Sequence, residues 1–298
     1  MKIIVSGASG LIGTALAKDW IAGGHEVVRL VRKTAPGMAG IACWNPGAGE
    51  LDPCILDNAD VVVHLSGENI AQGRWTAARK ARILDSRIKS TECVVQALLR
   101  APNPPKALLC ASAIGYYGHR GEELLTETSG PGTGFLAEVC QAWEAATRPA
   151  SDRGIRVVNL RFGMVLSGEG GALRAMLPAF KLGIGGVIGS GRQYMSWIAM
   201  DDLIGAIRFL LGDESLSGPV NMVSPHPVTN TEFTKTLGRL LHRPAIIPVP
   251  AFAVRLALGE MADALLLASQ RVEPARLLDA GFSFQYPGLE AALKRFLP

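Results

Sequence analysis

The sequence predicts an α/β protein built on a parallel, doubly wound sheet, and three observations predict it. Short β-branched runs alternate with helical patterns through the first two thirds of the chain. Two of those runs, Val61-Val62-Val63 and Val157-Val158-Asn159-Leu160, are almost continuously apolar, as strands covered on both faces are. Gly7, Gly10 and Gly13 form a Gly-x-x-Gly-x-x-Gly turn between the first run and the first helical pattern, the junction at which such a sheet binds a dinucleotide.

The elements follow in order. Ile3-Ile4-Val5 reads as the first strand, Leu11 to Ala22 as the first helix and Glu26 to Val31 as the second strand. Further strands are expected within Ala59 to Leu65, Ala107 to Ala111 and Arg156 to Leu160, with long helical patterns over Thr76 to Leu99 and Phe135 to Ala150. Arg79, Lys80, Arg82 and Lys89 of the first long helix read as a solvated face rather than an anion site. From Gly168 onward, glycines at 168, 170, 171, 183, 185, 186, 189 and 191 mark loops, and Pro225, Pro227, Pro244, Pro248 and Pro250 punctuate a mostly helical tail. The expected division is a Rossmann-type dinucleotide-binding domain over 1–167 plus about 195–224, with a smaller C-terminal substrate-binding lobe from 168–194 and 225–298.

Composition sets the outer bounds. An apolar content of 48% against 19% charged residues supplies a large core and argues against disorder. The net charge is only +4 and no basic run exceeds Arg32-Lys33, so nucleic acid is not an expected partner. The lipophilic stretch from Val249 to Ser269 carries Pro250, Arg255, Glu260 and Asp263 and cannot supply the ~20 apolar residues of a membrane span. Lys2 with the apolar run after it, ahead of Ala15-Leu16-Ala17, imitates a signal peptide, but Ser6, Gly7, Ser9 and Gly10 interrupt it. Cys43, Cys54, Cys93, Cys110 and Cys140 form no C-x-x-C pair and read as reduced core thiols of a cytoplasmic protein. His25, His119, His226 and His242 share no metal-ligand spacing with them, so no metal is expected.

The glycine turn has a physical rationale. A tight strand-to-helix turn, backbone approach to a pyrophosphate and close helix-on-strand packing each leave no room for a side chain. The unpaired N–H groups at the helix start then face an anion, reinforced by the helix dipole. The second strand ends in Arg32-Lys33 with no acid in reach, and Ser9 can add a hydroxyl to the same phosphate. Basic residues there suit the extra phosphate of NADP, where an acid would suit the ribose of NAD. NADP(H) is therefore the expected cofactor.

Gly7-Ala8-Ser9-Gly10-Leu11-Ile12-Gly13, His64-Leu65-Ser66-Gly67, Gly115-Tyr116-Tyr117-Gly118 and Ser196-Trp197-Ile198 leading to Asp201-Asp202-Leu203 occur in the order seen in extended short-chain dehydrogenases/reductases. The chain resembles their nucleotide-sugar epimerase branch. Ser112 to Gly118, Gly189 to Tyr194 and Asn221 to Pro225 resemble, more narrowly, the atypical subgroup known as epimerase family proteins. That resemblance implies Gly7, Ser9, Gly10, Leu11 and Ile12 along the pyrophosphate and Arg32 at the adenosine phosphate. It implies Leu65, Ser66 and Gly67 on the adenosine side of the cleft with Glu68 close by, and Phe162 and Gly163 near the nicotinamide. Arg192 and Trp197 would belong to the region that closes over substrate. Dimers are common in that family, and a homodimer is the assembly the resemblance suggests.

Hydride transfer in this superfamily rests on a Tyr, a Lys four residues later that lowers the tyrosine pKa, and a Ser or Thr that holds the substrate oxygen. Here the Tyr position falls on Phe135 and the Lys position on Val139, and neither can act. The Ser/Thr position falls on Ala113, with Ser112 just before it. Two readings follow. Either the site is rebuilt, with Tyr116 or Tyr117 as proton donor beside Arg120 or Arg87, or catalysis is lost and the chain is a non-catalytic NADP(H)-binding regulatory or interaction protein. The first gives an NADP-dependent, epimerase-like oxidoreductase acting on a small polar metabolite, with Arg192 the residue suited to an anionic group on it. Packing of the paired tyrosines against the nicotinamide or a substrate ring is an equal alternative to acid catalysis. Cys140, beside Val139, reads as a buried thiol, Ser112 lacks a hydrolase context, and His64, at the end of a buried strand, reads as a satisfied core histidine.

Overall fold

The computed structural model describes residues 1–33 and 40–297. Seven parallel strands form the central sheet: β1 (Lys2–Ser6), β2 (Glu26–Val31), β3 (Ile41–Cys43), β4 (Val61–His64), β5 (Ala107–Ala113), β6 (Arg156–Phe162) and β7 (Gly218–Met222). Their spatial order is β7-β6-β5-β4-β1-β2-β3. Ile3 sits between Val27 and Val61, and Leu109 between Val63 and Val158. Strand order reverses between β4 and β1, so the crevice above their carboxyl ends is where ligands of such sheets bind. This is the doubly wound Rossmann-type architecture that the alternating runs predict.

The longer helices are α1 (Leu11–Ala22), α2 (Ala77–Arg100), α3 (Phe135–Ala145), α4 (Gly171–Lys181), α5 (Met200–Gly212), α6 (Asn230–Leu240), α7 (Ala251–Leu258) and α8 (Leu289–Phe296). Successive strand residues point to opposite faces. Ile3, Val5, Val61 and Val63 therefore pack against Leu16 and Trp20 of α1 and Leu203, Ile207 and Leu210 of α5. Ile4, Val62 and Leu108 pack on the other side against Val94, Val95 and Leu98 of α2 and Trp143 of α3. Each fully buried aliphatic side chain contributes about 1.5–3 kcal/mol, which is why the central strands β1 and β4 are almost wholly apolar.

A further core is built around Trp197, which is fully buried among Leu173, Leu177 and Phe180 of α4, Phe233 and Leu237 of α6 and Leu293 of α8. α6 begins with a reciprocal capping box between Thr229 and Glu232. α2 begins where Thr76 Oγ1 accepts the Arg79 N–H at 3.2 Å.

Three expectations need correction. The pattern from Phe135 to Ala150 is two helices, α3 and a short one at Arg148–Asp152, separated at Ala146 and Thr147. Pro149 has no N–H to continue the ladder, and the Thr147 hydroxyl instead bonds Glu144 O at 2.7 Å. Cys93, Cys110 and Cys140 are buried, but Cys43, at the end of the edge strand β3, and Cys54, in a single helical turn, are exposed. Arg79 does not lie on a solvated face: it is buried, because Glu68 offers it a carboxylate.

Candidate functional site

The carboxyl ends of β1 and β4 build a cradle that only glycine permits. Gly7 adopts φ +70°, and a Cβ there would lie 2.7 Å from Leu65 C and 2.9 Å from Ser66 N. A Cβ on Gly13 would lie 2.3 Å from Gly7 O, so the first turn of α1 packs directly on the strand end. Gly10 is the helix N-cap, without a side-chain cap, and the first turn holds no acid. The amides of Leu11, Ile12 and Gly13 donate to no acceptor among the described residues. Exposed Ser9 stands at their edge. An open set of N–H donors at the positive end of a helix fits a diphosphate.

The cradle is held from behind by His64. Its ring is hydrogen-bonded to Ser6 Oγ at 2.6 Å and to Ser90 Oγ at 3.1 Å, and Ser6 Oγ also accepts the Leu65 N–H at 3.2 Å. Burial pushes the imidazole pKa down to about 3, so it is neutral and structural, the satisfied core histidine expected. Leu65 and Ser66 present their backbone against Gly7, and Gly67 is exposed beside them. Glu68 lies next along the wall, with its carboxylate already joined to Arg79 and 3.9 Å from Arg82. On the other flank β2 ends at Val31, and Arg32 and Lys33 are exposed beyond it. Gly170 and Gly171, which start α4, lie against Leu11: a Cβ on either would come within 3.2 or 3.1 Å of its methyl carbons.

The positions of the missing Tyr-x-x-x-Lys pair are filled by packing. Val139 is buried with Trp75, Ile83 and Met261, and Phe135 joins the same cluster with its ring centroid 5.2 Å from that of Trp75. Leu258 and Met261 bring the C-terminal segment onto this cluster. Neither Phe135 nor Val139 offers a proton donor or an ammonium of its own.

Ser112 and Tyr117 belong to a buried network that sequence reasoning did not assemble. Arg161 Nε and Nη2 each donate to Glu144 at 2.8 Å, Ser112 Oγ donates to the same carboxylate at 2.7 Å, and Arg161 Nη1 donates to Tyr117 Oη at 2.9 Å. Tyr117 Oη in turn donates to Asn221 Oδ1 at 2.7 Å. Burial pushes the Tyr117 pKa up to about 12 despite Arg161, and burial works against the Arg161 charge but is outweighed by Glu144. Ser112 and Tyr117, read from the sequence as proton-transfer candidates, are thus tied into a buried network by these bonds. Tyr116 stacks its ring 3.5 Å from Arg161 Cζ, and its hydroxyl has no hydrogen-bond partner among the described residues. Arg120, one suggested partner of the tyrosines, forks onto Glu123 instead, with Nε 2.8 Å from Oε2. Arg161 was legible only as a charged residue inside an apolar strand, which demands a buried acid.

The substrate residues divide. Arg192 is exposed in the loop between Gly191 and Gln193. Trp197 is not a substrate residue: it is the centre of the third core, and its Nε1–H is spent on His226 O at 3.2 Å. Phe162 is half-buried, and Gly163 is wedged so that a Cβ would meet Val223 Cγ1 at 2.6 Å. Residues 266–272 strap this side. Tyr194 N–H donates to Ser269 Oγ at 3.0 Å, Gln270 Nε2 donates to Ile114 O at 3.1 Å, and Arg271-Val272 pair with Leu124-Leu125. A cavity of about 590 Å³ opens at the opposite, amino-terminal end of the strands, by Asp60, Lys106, Arg156 and Gly218. Arg156 there already donates to Leu210 O at 3.0 Å and Leu216 O at 2.9 Å, so it offers less chemistry than the glycine cradle.

Comparison with known proteins agrees with this geometry. Residues 3–222 match the model of the NAD dependent epimerase/dehydratase family, and residues 249–296 match a domain of unknown function, DUF1731. The chain is 47% identical over 291 residues to epimerase family protein Mb2239 of Mycobacterium bovis, covering 98% of this chain and 96% of that one. It is similar to the crystal structure of human epimerase family protein SDR39U1 (isoform 2) with NADPH, with a TM-score of 0.92, 37% identity and 99% of each chain covered. It is also similar to a nucleoside-diphosphate sugar epimerase from Corynebacterium glutamicum, with a TM-score of 0.81, 39% identity and 100% of this chain against 58% of that one.

Proposed function

The chain belongs to the NAD dependent epimerase/dehydratase family, and from that premise we propose that it takes NADP(H) in preference to NAD(H). The observation that carries this is the pairing of a side-chain-free cradle at Gly7, Gly10 and Gly13 with exposed Arg32 and Lys33 at the end of β2. A guanidinium there meets the adenosine 2′-phosphate, which NAD lacks. The similar human protein with NADPH supports the same choice. In the bound state the cofactor would supply or accept a hydride. Leu11, Ile12 and Gly13 would hold its diphosphate, and Leu65, Ser66 and Gly67 would wall the cleft.

The activity proposed is that of an epimerase-like oxidoreductase on a small polar metabolite, with Arg192 as the contact for an anionic group. Of the paired tyrosines, Tyr116 is the one whose hydroxyl has no hydrogen-bond partner among the described residues, and it is the proton donor of this reading. The apolar filling around Val139 favours a second reading, a non-catalytic NADP(H)-binding protein. Fluorescence titration with NADPH and NADH tests the cofactor. Contacts to a charged group are worth about 1.5–3 kcal/mol, so NADPH should bind about tenfold or more tightly, and Arg32→Asp should remove the difference. Equal affinities would overturn the assignment. NADPH oxidation against a panel of nucleotide sugars, aldehydes and ketones separates the two readings: turnover abolished by Tyr116→Phe supports the enzyme, and tight binding without turnover supports the other.

A further inference from the structure

The family's lysine is absent at Val139, but a positive charge stands nearby on another element. Arg87, on α2, lies with its guanidinium directly behind Gly67: a Cβ on Gly67 would be 3.3 Å from Arg87 Cζ and 3.4 Å from Nη2. On its other side the guanidinium stacks on Trp143 of α3, with Cζ 4.9 Å from the ring. Of its five N–H donors, Nη1 reaches Ile83 O at 3.0 Å. No carboxylate lies within salt-bridge distance of it among the described residues. Burial lowers its pKa from the ordinary arginine value, and the more distant charge of Glu68 offsets this only in part. A half-buried guanidinium without an ion-pair partner among the described residues, and with free donors, is poorly explained by the fold alone.

Its position says what would compensate it. The cradle sits above β1, and the adenosine side of the cleft runs outward over β2 to Arg32. The other half of a dinucleotide must then cross β4 toward β5. Gly67 ends the wall expected on the adenosine side, and Arg87 stands past it, against Trp143 of α3, which follows β5.

We propose that Arg87 grips the ribose-phosphate of the nicotinamide half of the bound dinucleotide, supplying from α2 the cation that the chain lacks at Val139. The planar fork of donors suits a ribose-phosphate, and stacking on Trp143 fixes its plane before the ligand arrives. This rests on the reading that the cleft takes NADP(H).

The test compares two ligands that share the adenosine end. NADPH carries the nicotinamide half, and adenosine 2′,5′-bisphosphate does not. Arg87→Met keeps much of the apolar stem and removes the charge. The expected result is an NADPH affinity reduced about 10- to 100-fold, adenosine 2′,5′-bisphosphate bound as by the unaltered protein, and partial recovery of NADPH binding in Arg87→Lys. An Arg87→Met protein that binds NADPH unchanged, or that loses both ligands equally, overturns the proposal. Unaltered protein that binds neither ligand removes the cofactor reading itself, and the role of Arg87 falls with it.

Discussion

Consecutive residues of α3, Trp143 and Glu144, hold two arginines in opposite ways. Glu144 meets Arg161 with both carboxylate oxygens, and Tyr117 takes a third donor, so that charge is closed within the fold. Trp143 offers Arg87 only a ring face, and the remaining donors are left for something outside the chain. The comparison teaches how to tell a charge kept for stability from one kept for a ligand. The first is neutralised and saturated, the second is oriented but unpaid. Trp143 and Glu144 both lie on the helix that carries Phe135 and Val139, about one turn beyond Val139, the position of the family's lysine.

Breaking the closed side should have the largest effect. Glu144→Ala leaves the Arg161 guanidinium buried without its acid, and loss of one partner of a buried pair costs about 3–5 kcal/mol. Urea denaturation should show that loss, whereas Arg87→Met should stay within about 1 kcal/mol of the unaltered protein. Similar losses in both would mean that Arg87 is as structural as Arg161.

His64 extends the comparison to a buried group held without charge. Its native pKa of about 3 lies below the ordinary 6.5, so the unfolded chain takes up the proton first. Stability is full above about pH 6.5 and falls as the pH drops toward 3, by up to about 1.4 kcal/mol per pH unit. In denaturation measured from pH 6.5 to 4.5, His64→Gln should lose this component of the slope. An identical slope in both proteins would show that His64 does not titrate as a buried neutral group.

A smaller effect separates the two tyrosines. Tyr117→Phe strips a partner from Arg161 and from Asn221, and leaving buried polar groups unsatisfied costs about 1–3 kcal/mol. Tyr116→Phe removes a hydroxyl without a partner and should change stability by about 0.5 kcal/mol or less. Calorimetry on the two variants reads the contrast, and equal melting temperatures would dissolve it.

The cofactor half of the cleft was legible because its signal is local. Three glycines within seven residues, between a strand and a helix, state their own geometry, and the end of β2 is one strand away. The buried network was not legible, because Ser112, Tyr117, Glu144, Arg161 and Asn221 come from distant stretches brought together by the neighbouring of β5, β6 and β7 and by α3. No spacing encodes that. Trp197 misled for a related reason: a Ser-Trp-Ile run reads equally as a substrate loop or as a core strand, and only α4, α6 and α8 closing around it decide. Arg79 was misread because helix periodicity gives a face but not its partner, and Glu68 lies outside the helix.

The smallest expected effect is the control for all the others. Lys80 joins Glu260 at 2.8 Å, tying α2 to the turn after α7, with side chains 33% and 48% exposed. Water screens such a pair and ordering two long side chains opposes it, so exposed ion pairs are worth about 0–1 kcal/mol. Lys80→Ala should cost about 0.5 kcal/mol or less in urea, and near 1 M salt, where the Debye length is about 3 Å, the difference should shrink further. Lys80 also stands 5.4 Å above the Phe135 ring, a contact that salt screens less. A loss that survives high salt would therefore locate the contribution in packing over Phe135, while a loss as large as that of Glu144→Ala would mean that solvent exposure does not separate these charges and that the contrast between Arg161 and Arg87 needs another cause.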